Sequence, residues 1–139
     1  MTRFDQVLAA LETFRLPLGT AWTEGQVLVH CAQSVEFSLT GFPKPRSLIV
    51  RKLFGPVVMR KFLKNGVMSH DLAAEIPGAP ALGSPSREEG IARLKKSIAD
   101  FRAHQGPLKP HFAYGEVTRE QYEALHSMHF ANHLTGQAA

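Results

Sequence analysis

His126, His129 and His133 recur at spacings of three and four residues, so in a helix they fall along one stripe. His129 and His133 stand one turn apart, and both can reach a single ion about 2 Å from each imidazole nitrogen. Tyr122 and Phe130 border the stripe and point it inward. A buried imidazole needs partners for both ring nitrogens, and three together are costly without a shared function. The third ligand should come from a neighbouring helix, and His30 is the natural donor. Spacing alone leaves His126 open, as an alternative ligand or as a group behind the ligands. The competing reading is a set of hydrogen-bonded core histidines that need no metal. His129-Phe130-Ala131-Asn132-His133 lacks the glutamate of the HExxH zinc-protease motif, so that mechanism has no general base here.

Three protein ligands leave an open coordination position, the arrangement of catalytic rather than structural sites. An ion held that way lowers the pKa of a water or a thiol. His111 and His70 lie in loops from which either can approach as a proton carrier, although a solvent-facing loop histidine needs no such role. Tyr122 can donate to a ligand at the ion or serve as a plain core aromatic. Cys31 follows His30 directly, about 100° around the helix, and reads as a small buried hydrophobe.

These residues need helices to place them. Phe4, Val7, Leu8 and Leu11 predict an amphipathic helix from Thr2 to about Phe14, before Pro17 and Gly19 break the chain. Thr23-Glu24-Gly25-Gln26 is a capping box that opens a second helix to about Thr40. Trp22, just before the cap, is placed to staple onto Val27. Ser47 to Lys64 is a third helical stretch, kinked or split at Gly55-Pro56 and ended by Asn65-Gly66. Met68 to Pro85 is too rich in proline for a helix and reads as a long loop. Ser86-Arg87-Glu88-Glu89 caps a helix to about His104, with Ile91, Leu94, Ile98 and Phe101 inward. Thr118-Arg119-Glu120-Gln121 caps the last helix, which runs to about Leu134. No segment alternates as a strand does. The class is all-α, and a four-helix bundle is the economical packing.

At 139 residues the chain reads as one domain, residues 1–139, with a core that needs no staples. The lone Cys31 excludes an internal disulfide framework and fits a reducing, cytoplasmic compartment. No stretch resembles a signal peptide, and the apolar runs fall short of the roughly 18 to 20 residues that cross a bilayer, so no membrane partner is expected. The net charge of +4 is too small to argue for nucleic acid. Its distribution says more: Lys44, Arg46, Arg51, Lys52, Arg60, Lys61 and Lys64 fall between Phe37 and His70, where no acidic residue occurs. A solvated helix face explains this stretch first and attraction of an anionic substrate second. Nucleic-acid binding comes last, because no aromatic platform or docking motif accompanies the charges.

Several stretches carry a family resemblance: Trp22-Thr23-Glu24-Gly25-Gln26-Val27-Leu28-Val29-His30, Thr40-Gly41-Phe42-Pro43, Asn65-Gly66-Val67-Met68, Ile76-Pro77-Gly78-Ala79-Pro80, and Pro110-His111-Phe112-Ala113-Tyr114-Gly115 leading to Leu125-His126-Ser127-Met128-His129-Phe130-Ala131-Asn132-His133-Leu134. In this order they resemble the DinB/YfiT-like superfamily of metalloenzymes, in its branch described as a domain of unknown function. The resemblance implies an up-down-down-up four-helix bundle, often dimeric, holding a nickel or zinc ion through three histidines. By motif position those are His30, His129 and His133. Many relatives carry adjacent histidines where this chain has Asn132-His133, which favours this set over His126. The Arg-Gly-Gln that often follows is only loosely echoed by Leu134-Thr135-Gly136-Gln137. The chemistry implied is thiol-dependent transfer or isomerisation with a low-molecular-weight thiol. The expectation is therefore a metal-dependent transferase or hydrolase acting on a small molecule, most simply as a homodimer. The alternative is a helical protein that binds a metal or small ligand without catalysis.

Overall fold

The structure is a computed structural model that describes residues 3–16, 20–66, 68 and 74–135. Among these residues it is all-α, with five α-helices: α1 (Arg3–Ala10), α2 (Glu24–Thr40), α3 (Gly55–Asn65), α4 (Arg87–Ala103) and α5 (Arg119–Thr135). The only strand-like pairing among them is a single bridge between His111 and Gly115. Among the described residues no helix is long and apolar enough to cross a membrane.

All three capping boxes form. Thr23 accepts from the Gln26 N–H while Gln26 Oε1 accepts from the Thr23 N–H, and Ser86 with Glu89 repeats the pattern. Thr118 and Gln121 do the same at the start of α5. These reciprocal bonds satisfy the N–H groups that a helix start otherwise leaves unpaired. They fix where α2 and α5 begin, and so the level at which His30 and His129 sit.

α1 is shorter than the sequence predicts. It ends at Ala10 rather than near Phe14, and the chain turns so that Phe14 meets Phe130 edge-on at 5.8 Å. The turn releases backbone carbonyls, and the Arg87 guanidinium donates to two of them, at Leu11 and Phe14. The expected break at Gly55-Pro56 takes a particular form: a π-helical turn, Val50–Phe54, runs directly into α3. The Gly55 N–H donates to the Val50 carbonyl five residues back. Pro56 has no N–H to offer, and the wider turn absorbs that loss without a chain reversal. A Cβ on Gly55 would sit 1.8 Å from the Ala113 carbonyl oxygen, so only glycine lets the 111–115 turn approach this closely.

α2 is buried nearly all round, from Gly25 to Val35. It packs chiefly along α4 and also meets α5, which contacts α1 and α3 as well. The small side of α2 faces α4: Gly25 lies on the Pro85 and Ser86 backbone, and Gly90 lies on Leu28. The largest fully buried side chains include Tyr122, Phe4, Phe101, Leu11, Leu28 and Leu94. Of the inward residues expected in α4, Leu94, Ile98 and Phe101 are buried and Ile91 is partly so. Two loops are tied to α2 by its own polar side chains and backbone. Gln26 and Gln33 donate to the carbonyls of Gly83 and Pro80, and the Lys109 N–H donates to the Ser38 carbonyl.

Candidate metal centre

Antiparallel levels along α2 and α5 decide which histidines meet. His30 faces His129 and His133, while Ser38, two turns further along α2, faces His126. The rings of His30, His129 and His133 form a near-equilateral triangle, with centroids 4.8, 5.1 and 4.9 Å apart, each pair edge-to-face. One donor nitrogen from each lies within 4.8 Å of the others, and His30 Nε2 is 3.0 Å from His129 Nε2. The 3.0 Å pair can share an ion at the usual bond length of about 2.0–2.1 Å, and His133 lies close enough to complete the set. His30 and His133 are buried and His129 is half-buried. Trp22 backs the triangle, 4.8 Å from His30 and stacked 5.9 Å from His133. The sequence suggests Trp22 only as a helix staple. Its position just before the cap of the helix that carries His30 is the signal that it also walls the site.

The three rings therefore fit a divalent ion by donor type, number and spacing, and all three can ligate as neutral imidazoles. Trp22 packs against one side of the triangle. On the other side, His30 and His129 help to line a cavity of about 190 Å³, whereas His133 does not.

His126 is packed away from the triangle. Its ring stacks on Tyr122 at 5.2 Å and on Phe4 at 6.3 Å, and meets Phe101 edge-on at 5.9 Å. The Ser38 hydroxyl donates to the Val35 carbonyl, which leaves its oxygen to accept from His126 Nε2–H at 3.3 Å. Burial in this cage pushes the His126 pKa down to about 3, so the ring is neutral. It borders the cavity at a level below the three rings.

His111 sits in the turn clamped between α3 and α5. The Arg46 N–H donates to the Phe112 carbonyl, and His111 and Gly115 exchange backbone bonds. Its Nδ1 accepts from the N–H groups of Ala113 (3.0 Å) and Tyr114 (3.2 Å). Burial, with a smaller contribution from His126, holds the His111 pKa at about 3. The Tyr122 hydroxyl donates to the Lys109 carbonyl at 2.6 Å, and burial first, then Glu116, push its pKa upward. Both residues line the same cavity as His30 and His129. Cys31 is buried and its thiol is pushed up to about 12, so it is inert near neutral pH. His70 lies outside the described residues. Sequence reasoning missed the contribution of Glu75, Ile76 and Pro77 to the cavity wall, because a proline-rich loop carries no periodicity to show where it folds back.

No curated protein and no solved structure matches the chain. One family does, over residues 4–137, and its description is "Protein of unknown function (DUF1569)". The chain belongs to that family.

Proposed function

We propose that this chain is a metal-dependent enzyme of the DinB/YfiT-like superfamily, in which His30, His129 and His133 hold a nickel or zinc ion. The observation that carries the reading is the approach of three ring nitrogens to within 4.8 Å at the wall of a cavity. A structural site would be closed on every side, and this one borders space on the side of His30 and His129. When bound, the ion supplies Lewis acidity that makes a thiol or water a competent nucleophile near neutral pH. Three neutral imidazoles leave its full positive charge in place, which favours a thiol that ionises. Transfer of a group to a low-molecular-weight thiol, or hydrolysis, is the chemistry this arrangement suits. Trp22 packs on the buried rings of His30 and His133 on the other side. Tyr122 forms cavity wall, its own proton engaged by Lys109.

The helix directions support the bundle that this superfamily uses. The starts of α2 and α4 lie together at Gly25, Pro85 and Gly90. Phe4 meets His126 while Phe14, just past the end of α1, meets Phe130, which favours α1 and α5 running the same way, and α2 opposes α5. Up-down-down-up is the order these contacts favour for α1, α2, α4 and α5. A reducing compartment, the cytoplasm, suits the single buried thiol.

The enzyme is proposed to work as a homodimer. Leu48, Ile49, Leu53, Phe54, Val57 and Val58 are 41–64% exposed on one short segment. Together they present on the order of 600 Å² of apolar-rich surface, near the roughly 800 Å² each partner contributes to a standard interface. Lys52, Arg60, Lys61 and Lys64 lie exposed beside them, so a symmetric pairing brings like charges together. Sedimentation equilibrium should therefore show a dimer that tightens as salt rises. A monomer at all salt concentrations would overturn the dimer.

Elemental analysis of protein purified without a histidine tag tests the metal. About one equivalent of nickel or zinc per chain is expected, as purified or after reconstitution. No stoichiometric metal under either condition would overturn the reading.

A further inference from the structure

His111 cannot act as a base, and that restriction identifies what it does. Its Nδ1 already accepts two backbone N–H groups, from Ala113 and Tyr114. A neutral imidazole with Nδ1 as acceptor carries its proton on Nε2, so the ring is a fixed donor. Stacking on Tyr114 (4.2 Å) and Phe112 (4.5 Å), with Phe42 at 5.0 Å, prevents the ring from turning over. The ring lines the same cavity as His30 and His129, and Arg46 lines it too. Arg46 is tied to the His111 turn through its own N–H and lies 6.0 Å from the Phe112 ring. Among the described residues no carboxylate lies within ion-pair distance of its guanidinium. Leu125, Ile76, Phe112 and Tyr122 make the rest of the wall largely apolar. Glu75, also in the wall, adds one negative charge and disfavours a ligand that carries more than one.

We infer that the cavity binds a small monocarboxylate, with its carboxylate hydrogen-bonded by His111 Nε2–H and paired with Arg46, and its other end directed toward His30 and His129. At about 190 Å³ the space is metabolite-sized, below the roughly 300–1,000 Å³ of drug-sized pockets. His111 is a positioning residue in this arrangement. The carboxylate site stands on its own geometry. Only the statement that the far end is the reacting end rests on the proposed metal centre.

The test compares 3-mercaptopropionate with its amide, 3-mercaptopropionamide, on cobalt-loaded protein, following the thiolate-to-cobalt absorption band. The carboxylate should bind about tenfold more tightly, which is ~1.4 kcal/mol. That preference should fall to within about twofold in Arg46→Gln and in His111→Phe, while the band itself persists. Equal binding of the two thiols by the unmodified protein would overturn the inference. Arg46 is exposed, so Arg46→Gln keeps the test valid if His111→Phe fails to fold. Failure to load cobalt would count against the metal centre alone. In that case propionate against propionamide, read from histidine ring NMR shifts of the metal-free protein, decides the carboxylate site. Shifts at His111 with propionate only support it, and equal response to both probes overturns it.

Discussion

Two groups of histidines meet at one cavity, and they have opposite chemistry. His30, His129 and His133 turn their edges toward one another, with two Nε2 atoms 3.0 Å apart. His111 and His126 lie flat against aromatic rings, and each has a ring nitrogen engaged by a local group of the chain. His126 and His129 sit one turn apart on the same helix. What separates them is the level of α2 that each meets: His30 opposite one, Ser38 opposite the other. An imidazole facing an imidazole is suited to share a cation, whereas one facing a hydroxyl within an aromatic cage is fixed as a neutral donor. The residue type alone does not carry the function.

Breaking the triangle should have the largest effect. His129→Ala removes a proposed ligand and should weaken nickel or zinc binding by at least about 100-fold, since loss of an outer partner alone costs roughly 10–100-fold. His126→Gln should change the affinity only a few-fold. Competition with a chromophoric chelator measures both, and equal losses would erase the distinction between the groups.

In metal-free protein the order reverses. His126→Ala empties a cage lined by Tyr122, Phe4 and Phe101, and should cost about 2–4 kcal/mol, the range for large-to-small changes in a core. His129→Ala should cost no more than about 1 kcal/mol, because that ring is half-buried. Urea unfolding with the metal removed reads the difference. A costlier His129→Ala would place the structural role in the wrong group.

The third effect is a slope. His111 and His126 titrate at about 3 in the folded chain and near 6.5 when unfolded. Between those values the unfolded state binds more protons, so stability rises with pH and is lost as pH falls from about 6.5 toward 3. Each histidine should contribute up to about 1.4 kcal/mol per pH unit within that window. In metal-free protein, His111→Gln and His126→Gln should each flatten the stability profile between pH 6 and 4.5. A profile unchanged by both would show that neither ring is held neutral by the fold.

Much of this arrangement is legible in the sequence, because local rules set it. Capping boxes at Thr23, Ser86 and Thr118 are short-range chemistry, and each helix start follows from them. The His129/His133 spacing is geometry within one helix, so the pair can be read directly. His126 shares that stripe, and only the depth at which α2 crosses α5 excludes it from the triangle. Depth is set by tertiary packing, which periodicity does not encode. Leu11 and Phe14 fit the pattern of α1 and are buried, yet the helix stops at Ala10, and Arg87, from a distant helix, takes the released carbonyls. Gly55-Pro56 marks an interruption, but periodicity does not say that it takes the form of a π-helical turn running directly into α3.

Anomalous diffraction at the nickel and zinc edges, from crystals of tag-free protein, tests the central claim most directly. The account predicts one peak per chain, within about 2.2 Å of a ring nitrogen of each of His30, His129 and His133. A peak at His126 or His111 instead, or no peak at this triangle after reconstitution, would contradict it.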